Sequence, residues 1–336
     1  MGELLFPVAA LAATFLLIMP SLTWLSRALL ARKRRRARSW AEFGGESTFA
    51  WLAAPTVLPL SWLASSALHQ SEPSQSLKSC LIDHVEATSC LDAVALLGLL
   101  VVGMVVAVAR CVWREGPRLR VDAVGEGHPQ AARVARVVSS DARLRGMSVV
   151  VARQAPTPVY VSGWLRPRGV VDACFARDAD DAMLRAALLH ERAHAAAYDT
   201  LRVFLIRLCL FINPAGGWLA ADFGRWRQAR EAQCDGEAIH HGGDALALAE
   251  GIVRAARFRC DGVVSCGIAM LGGQDLPALR LRLALLQHGP PRSARTLGHA
   301  ALVVAVVIAL VVPHVQEVGA LDHFHLQVER LLHWLQ

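Results

Sequence analysis

The apolar residues of this chain are grouped into long, almost uncharged runs, and that grouping constrains its fold more than any other feature. Residues 4–25, 49–68, 93–112 and 297–315 each approach the length of a bilayer crossing. Hydrophobic residues make up 54% of the 336 positions, which is high for a water-soluble domain. The expectation is a mainly α membrane protein with four transmembrane helices. Pro7, Pro20, Pro55 and Pro59 fall in the first two runs, where neighbouring groups can re-satisfy a kinked backbone.

Charge orients these spans. Arg32, Lys33, Arg34, Arg35, Arg36 and Arg38 follow the first run, and the positive-inside rule places them in the cytoplasm with the N-terminus outside. Glu3 stands where a cleaved signal would carry basic residues, so the run reads as an anchor. Residues 69–91 then form an external loop whose only Lys or Arg is Lys78, and span three returns to Arg110, Arg114, Arg118 and Arg120. This divides the chain into a three-span portion (1–112), a cytoplasmic domain (113–296), a fourth span (297–315) and an external tail (316–336). The location implied is a bacterial-type plasma membrane, crossed several times. The net charge of +7 is assigned to topology and anionic lipid rather than to nucleic acid. Cys80 and Cys90 lie in the external loop, where a disulfide can form, whereas Cys174, Cys234, Cys260 and Cys266 fall on the reducing side.

Within 113–296 the pattern is α+β. A helix is expected over 128–138 and β-prone runs over 147–152 and 159–161, followed by GWLRPRGVV at 163–171. A long helix starts at the Asp178, Asp180, Asp181 cluster and runs through LRAALLHERAHAAAYD. The apolar stretch 201–221 carries Arg202 and Arg207 and is broken at Asn213, Pro214, Gly216 and Gly217, so it reads as a buried or membrane-dipping helical hairpin, not a fifth span.

HERAH, at 190–194, places His190 and His194 on one helical face with Glu191 beside them. Two imidazoles can share a metal, and zinc makes water acidic enough for the carboxylate to take its proton. A catalytic zinc needs a third protein ligand. Ala197 and Thr200 exclude the extended metzincin pattern, in which Gly and His occupy those positions. Downstream, RQAREAQCDGEAI offers Glu231 and, one turn later, Asp235. Alone, Glu231 reads as a partner for nearby arginines; beside HERAH it is the candidate third ligand, with Asp235 positioned to hold a ligand imidazole. Asp199 either orients a ligand histidine or caps a helix. Tyr198, His240 and His241 are candidate oxyanion donors or ordinary neighbours of the site.

HERAHAAAYD, FINPAGGWLA and RWRQAREAQCDGEAI together resemble the BlaR/MecR-type membrane metallopeptidases, a gluzincin-like family of β-lactam sensor-transducers. In that family an Asp matching Asp199 follows HExxH, an NP segment matches Asn213 and Pro214, and ExxCD matches Glu231, Cys234 and Asp235. The resemblance implies one zinc per chain, held by His190, His194 and Glu231, with Glu191 as general base in a cytoplasmic endopeptidase that cleaves a protein or peptide in regulated or signalling proteolysis. The chain departs from the sensors in having only residues 313–336 where they carry a penicillin-binding domain, so a receptor of that design is not expected. The tail reads as an amphipathic helix, its histidines solvated or interfacial. CAAX or HtpX-like proteases share the HExxH logic but continue as ExxAD, where Cys234 stands here. A zinc-bearing scaffold without activity would have no need of Glu191. Self-association is left open by the sequence.

Overall fold

The computed structural model of the chain describes residues 11–37, 39–69, 87–115, 122–125, 127–258 and 276–288. The expected fourth span, the tail and the Cys80–Cys90 pairing lie outside the described residues. Helices stand at the other three apolar runs: α1 (Met19–Arg36), α2 (Glu46–His69) and α3 (Ala87–Glu115). Both α2 and α3 outrun the apolar stretches that signalled them, because a helix continues wherever its backbone bonds allow. By length and hydropathy one helical segment among the described residues, Leu11–Arg36, could cross a membrane. Near its start it contains a π-helical turn at Thr14–Ile18, directly upstream of Pro20. Proline has no N–H to give the carbonyl one turn back, and a wider turn there absorbs the mismatch. Pro55 and Pro59 lie inside α2 without ending it.

The α+β portion begins with α4 (Pro129–Ser140), followed by β1 (Val149–Ala152), β2 (Val159–Ser162) and β3 (Arg168–Asp172). The sheet order is β1-β3-β2; β1 runs parallel to β3, with Val151 opposite Val171, and β2 antiparallel to it, with Tyr160 opposite Val170. Asp172 ends β3 and turns the chain into a short helix, α5 (Ala173–Asp178), which sequence periodicity did not signal. One Asp172 oxygen accepts from the backbone N–H of Cys174 (2.8 Å) and Phe175 (3.2 Å), and the other from Ala155 (3.0 Å). The long helix α6 (Asp181–Ala196) starts at the acidic cluster, with Asp180 as its cap accepting from Met183 N–H, while Asp178 closes α5. Leu184, Leu188 and Leu189 of α6 are buried against Val171, Phe175, Leu248 and Ile252, the last two from α9 (Ala245–Phe258).

The apolar stretch 201–221 breaks where expected but supplies only the first arm and the turn of a hairpin, whose second arm is the helix that follows it. The arms are α7 (Asp199–Ile212) and α8 (Ala220–His240), joined through Asn213 and a 3-10 turn at Gly216–Leu219. The hairpin tip is seated among the first helices: Asn213 Nδ2 donates to Thr23 Oγ1 of α1 (2.9 Å), and Thr56 Oγ1 of α2 donates to the Cys209 carbonyl (3.0 Å). Gly216 approaches the Leu210 carbonyl so closely that a Cβ there would lie 2.1 Å from its oxygen. The last described helix is α10 (Leu276–His288).

Asp172→Ala leaves three backbone donors without their carboxylate, and we expect a loss of roughly 1–3 kcal/mol in denaturant unfolding. A loss within measurement error would mean that the strand-to-helix corner does not depend on this side chain.

Candidate metal centre

The first half of α6 is fixed by the apolar core, and its second half carries HERAH as the next turn of the same rigid rod. His190, Glu191 and His194 are all buried. The helix then stops: Tyr198 takes a left-handed conformation (φ 53°), the only described non-glycine residue with positive φ, and α7 begins at Asp199. That reversal brings Asp199 back onto the preceding turn, where its Oδ2 lies 2.8 Å from His194 Nδ1. His190 Nδ1 is placed similarly, 2.8 Å from Asp235 Oδ1 on α8. His194 Nδ1 is thus hydrogen-bonded, while His190 Nδ1 lies beside its carboxylate without an aligned hydrogen bond, and the Nε2 atoms face one another at 3.0 Å.

Glu231 approaches the same point from α8, its oxygens 3.6 Å from His190 Nε2 and 3.7 Å from His194 Nε2. Those gaps are too long for hydrogen bonds. A tetrahedral centre with ligand bonds of ~2.0–2.1 Å separates neighbouring donors by roughly 3.3 Å, so the three side chains are spaced as donors to one ion. Glu191 Oε1 is buried with no hydrogen-bond partner, and Glu231 Oε2 has no aligned hydrogen bond, only the Arg282 guanidinium 3.3 Å away, a costly arrangement unless something else satisfies them.

Charge points the same way. Glu191, Asp199, Glu231 and Asp235 stand against Arg230 and Arg282, every one of them at most 7% exposed. With the Glu46–Arg202 pair that borders Asp199 included, five carboxylates face three guanidinium groups, an excess that a cation would reduce. Burial raises the Glu191 pKa, although the two imidazoles partly oppose it. Burial would also raise Asp199, but Arg230 and His194 outweigh it and hold the group at about 2. Glu231 is likewise held down, by His194, His190 and Arg282 against its burial. For His194, burial disfavours charge, yet Cys234, Glu231 and Asp199 draw its pKa well above the usual value. Asp199 and Glu231 stay ionised and draw positive charge onto His194, a charge that a bound cation would supply in its place.

The two arginines were not foreseen as site residues. Arg282 of α10 donates from Nε to Asp235 Oδ2 (2.7 Å) and from Nη2 to Oδ1 (2.6 Å), and its Nη1 stands 3.3 Å from Glu231. Arg230 donates from Nε (3.1 Å) and Nη2 (2.8 Å) to Asp199 Oδ2. The available signal was an arginine within an apolar helix in the first case and the i−1 neighbour of Glu231 in the second. Cys234 lies beside His194, with Sγ 3.5 Å from Nδ1. Tyr198 is half exposed at the helix junction. His240 and His241 end α8 with their rings 5.5 Å apart, and Arg143 engages the His241 ring and the His240 carbonyl.

Replacing Arg282 with Met strands two buried carboxylates, and the metal-free protein should lose roughly 3–5 kcal/mol in denaturant unfolding. Exposed Arg280 serves as control, its replacement staying within about 0.5 kcal/mol. Equal losses for the two would show that the Arg282–Asp235 pair is not desolvated.

No curated protein and no solved structure matches the chain. A family model does, over residues 47–244, which includes HERAH, the NP turn and Glu231 through Asp235 and exceeds half of the sequence. The chain belongs to the family that this model describes, the BlaR1 peptidase M56.

Proposed function

We propose that this peptidase is a zinc endopeptidase embedded in a bacterial plasma membrane, which hydrolyses a protein or peptide substrate in regulated or signalling proteolysis. The observation that carries the reading is the convergence of His190 Nε2, His194 Nε2 and a Glu231 oxygen within 4.8 Å of one another, beside a buried carboxylate. Those three residues would hold the metal. Zinc, when bound, supplies Lewis acidity toward the scissile carbonyl and lowers the pKa of water toward neutrality. Glu191 accepts the proton of the attacking water, whose oxygen adds to the carbonyl carbon. As the C–N bond breaks, the same carboxyl returns the proton to the departing amine. Its raised pKa suits a group that must both take and give a proton. Asp199 is hydrogen-bonded to His194 Nδ1 and Asp235 stands 2.8 Å from His190 Nδ1, which leaves both Nε2 atoms directed at the common point.

Membrane embedding is supported by apolar faces that a water-soluble chain would cover. Leu16, Leu17 and Trp24 at the first helix are 66–69% exposed, and Leu99, Val101, Val102, Val105 and Val106 of α3 are 53–61% exposed. The orientation has support of its own. The turn at Trp40–Gly44, just after the basic end of α1, packs against α8, so the candidate centre shares an end of the bundle with Lys33–Arg36. The positive-inside rule then puts the centre in the cytoplasm, with the N-terminus, residues 69–91 and residues 316–336 outside. On this reading 113–296 is the peptidase domain and 297–315 a fourth span.

Purified protein should carry one zinc per chain, and His190→Ala should lose it. Glu191→Gln should keep the metal but lower cleavage about 10²–10⁴-fold, since the amide cannot take a proton. Protein termini compared between cells making the wild type and Glu191→Gln supply the readout. Unchanged termini with zinc bound would favour a silent scaffold.

Topology has a separate test. A membrane-impermeant thiol reagent should reach Cys80 and Cys90 in intact cells once they are reduced, and Cys260 and Cys266 only after permeabilisation. The reverse pattern would place the peptidase domain outside.

A further inference from the structure

Two polar lines enter the centre from the loop between α1 and α2, and both end at Asp199. Along the first, Gln233 Nε2 donates to the Ala41 carbonyl (2.7 Å), while Gln233 Oε1 accepts from Arg230 Nη1 (2.6 Å). The remaining nitrogens of that guanidinium, Nε and Nη2, donate to Asp199 Oδ2, which also faces His194 Nδ1. Along the second, Glu46 pairs with Arg202 (2.7 Å), whose Nη1 stands 3.6 Å from Asp199 Oδ1. Ala41 lies in the 3-10 turn at Trp40–Gly44, and Glu46 opens α2.

The backbones touch as well. A Cβ on Gly44 would fall 2.8 Å from the Ala229 carbonyl carbon and 2.9 Å from Arg230 N, so the turn lies directly on α8 one residue before Glu231. Phe43 of the same turn is buried with Trp226 and Ala229 of α8. The guanidinium is a rigid fork, and here each of its three nitrogens has a fixed acceptor. Shifting the turn by about an ångström breaks the Gln233–Ala41 bond, frees Gln233 to release Arg230, and loosens the carboxylate that orients His194.

We propose that Arg230 and Gln233 are positioning residues that register His194 against the loop joining the first two helices, so that displacement of those helices weakens metal binding. The proposal rests on His194 being a zinc ligand, as argued above. It supplies a route by which an event at the first two helices reaches the centre without contacting it.

The test is zinc affinity, measured by chelator competition on the full chain in detergent, with unfolding followed in parallel. Partners that orient metal-bound histidines are worth 10–100-fold in affinity, so Gln233→Leu and Arg230→Gln should each weaken zinc binding about tenfold or more. Their combination should add little to the larger single effect. Gly44→Ala, which changes no side chain in the centre, should weaken zinc as well, and Arg254→Ala on the surface should not.

Coupling is reciprocal, so adding zinc to metal-free protein should slow amide hydrogen exchange over residues 40–45, and Gln233→Leu should abolish that slowing. A merely structural role would lower stability without making loop exchange depend on zinc. Should Gly44→Ala fail to fold, Gln233→Glu decides, because it keeps the Arg230 bond and loses the donor to Ala41. Zinc affinity within twofold of wild type in Gln233→Leu and Gln233→Glu, or loop exchange indifferent to zinc in the wild type, overturns the proposal. Wild-type protein that binds no zinc overturns the ligand assignment itself, and the two failures are thereby distinct.

Discussion

Two imidazoles one helical turn apart must turn Nε2 toward a common point, and the carboxylates set beside their Nδ1 atoms are what the rest of this structure is arranged to hold. Asp235 faces His190 and Asp199 faces His194. Each carboxylate would be expensive to bury alone, and each is met by a guanidinium, Arg282 for the first and Arg230 for the second. The centre is therefore built in rings. The outermost ring of arginines is drawn from α8 and from α10, and it fixes groups that in turn fix the histidines.

The helices that carry these groups are held by apolar burial at separate places. Along α8, Phe223, Trp226 and Ala229 belong to a cluster shared with Leu30 of α1, Leu52 of α2 and Val203 and Ile206 of α7. Ala238, further on, belongs to the cluster formed by α6, the sheet and α9. Glu231 and Asp235 lie between these two anchorages, so α8 bridges the two clusters at the segment that faces the histidines. The short sheet contributes through Asp172, which turns the chain toward α5 and α6.

Much of the candidate site was legible because its elements are encoded by spacing. His190, Glu191 and His194 follow from one helical turn, and Glu231 and Asp235 from another. Asp199 read equally as a cap or a histidine partner; it meets His194 and does not cap, since Tyr198 is the N-cap of α7 and no side chain bonds the exposed amides there. The arginines were illegible for a physical reason: a guanidinium in a sequence looks like surface charge, and 47 residues separate Arg282 from Asp235. The break at Asn213 and Pro214 was legible, because proline there cannot continue a helix, but the hairpin read within 201–221 takes its second arm from residues beyond that apolar stretch. The six-residue helix α5 was not, since it is too short to display a period. The ends of α2 and α3 lay beyond reach as well, because hydropathy marks where a helix is apolar and not where its backbone stops.

The left-handed residue at Tyr198 fixes the length of the chain around it. Had α6 simply continued, Asp199 would point about 140° away from His194 around the helix axis. Instead a single reversed residue swings the next helix back, and a side chain five positions later meets a ring that helical geometry would have hidden from it. An insertion or deletion between 194 and 199 would rotate α7 about its axis and carry Asp199 off the ring, even with every side chain of the centre retained. The stretch behaves as a gauge of fixed length, and its tolerance to changes in residue type should far exceed its tolerance to changes in residue number.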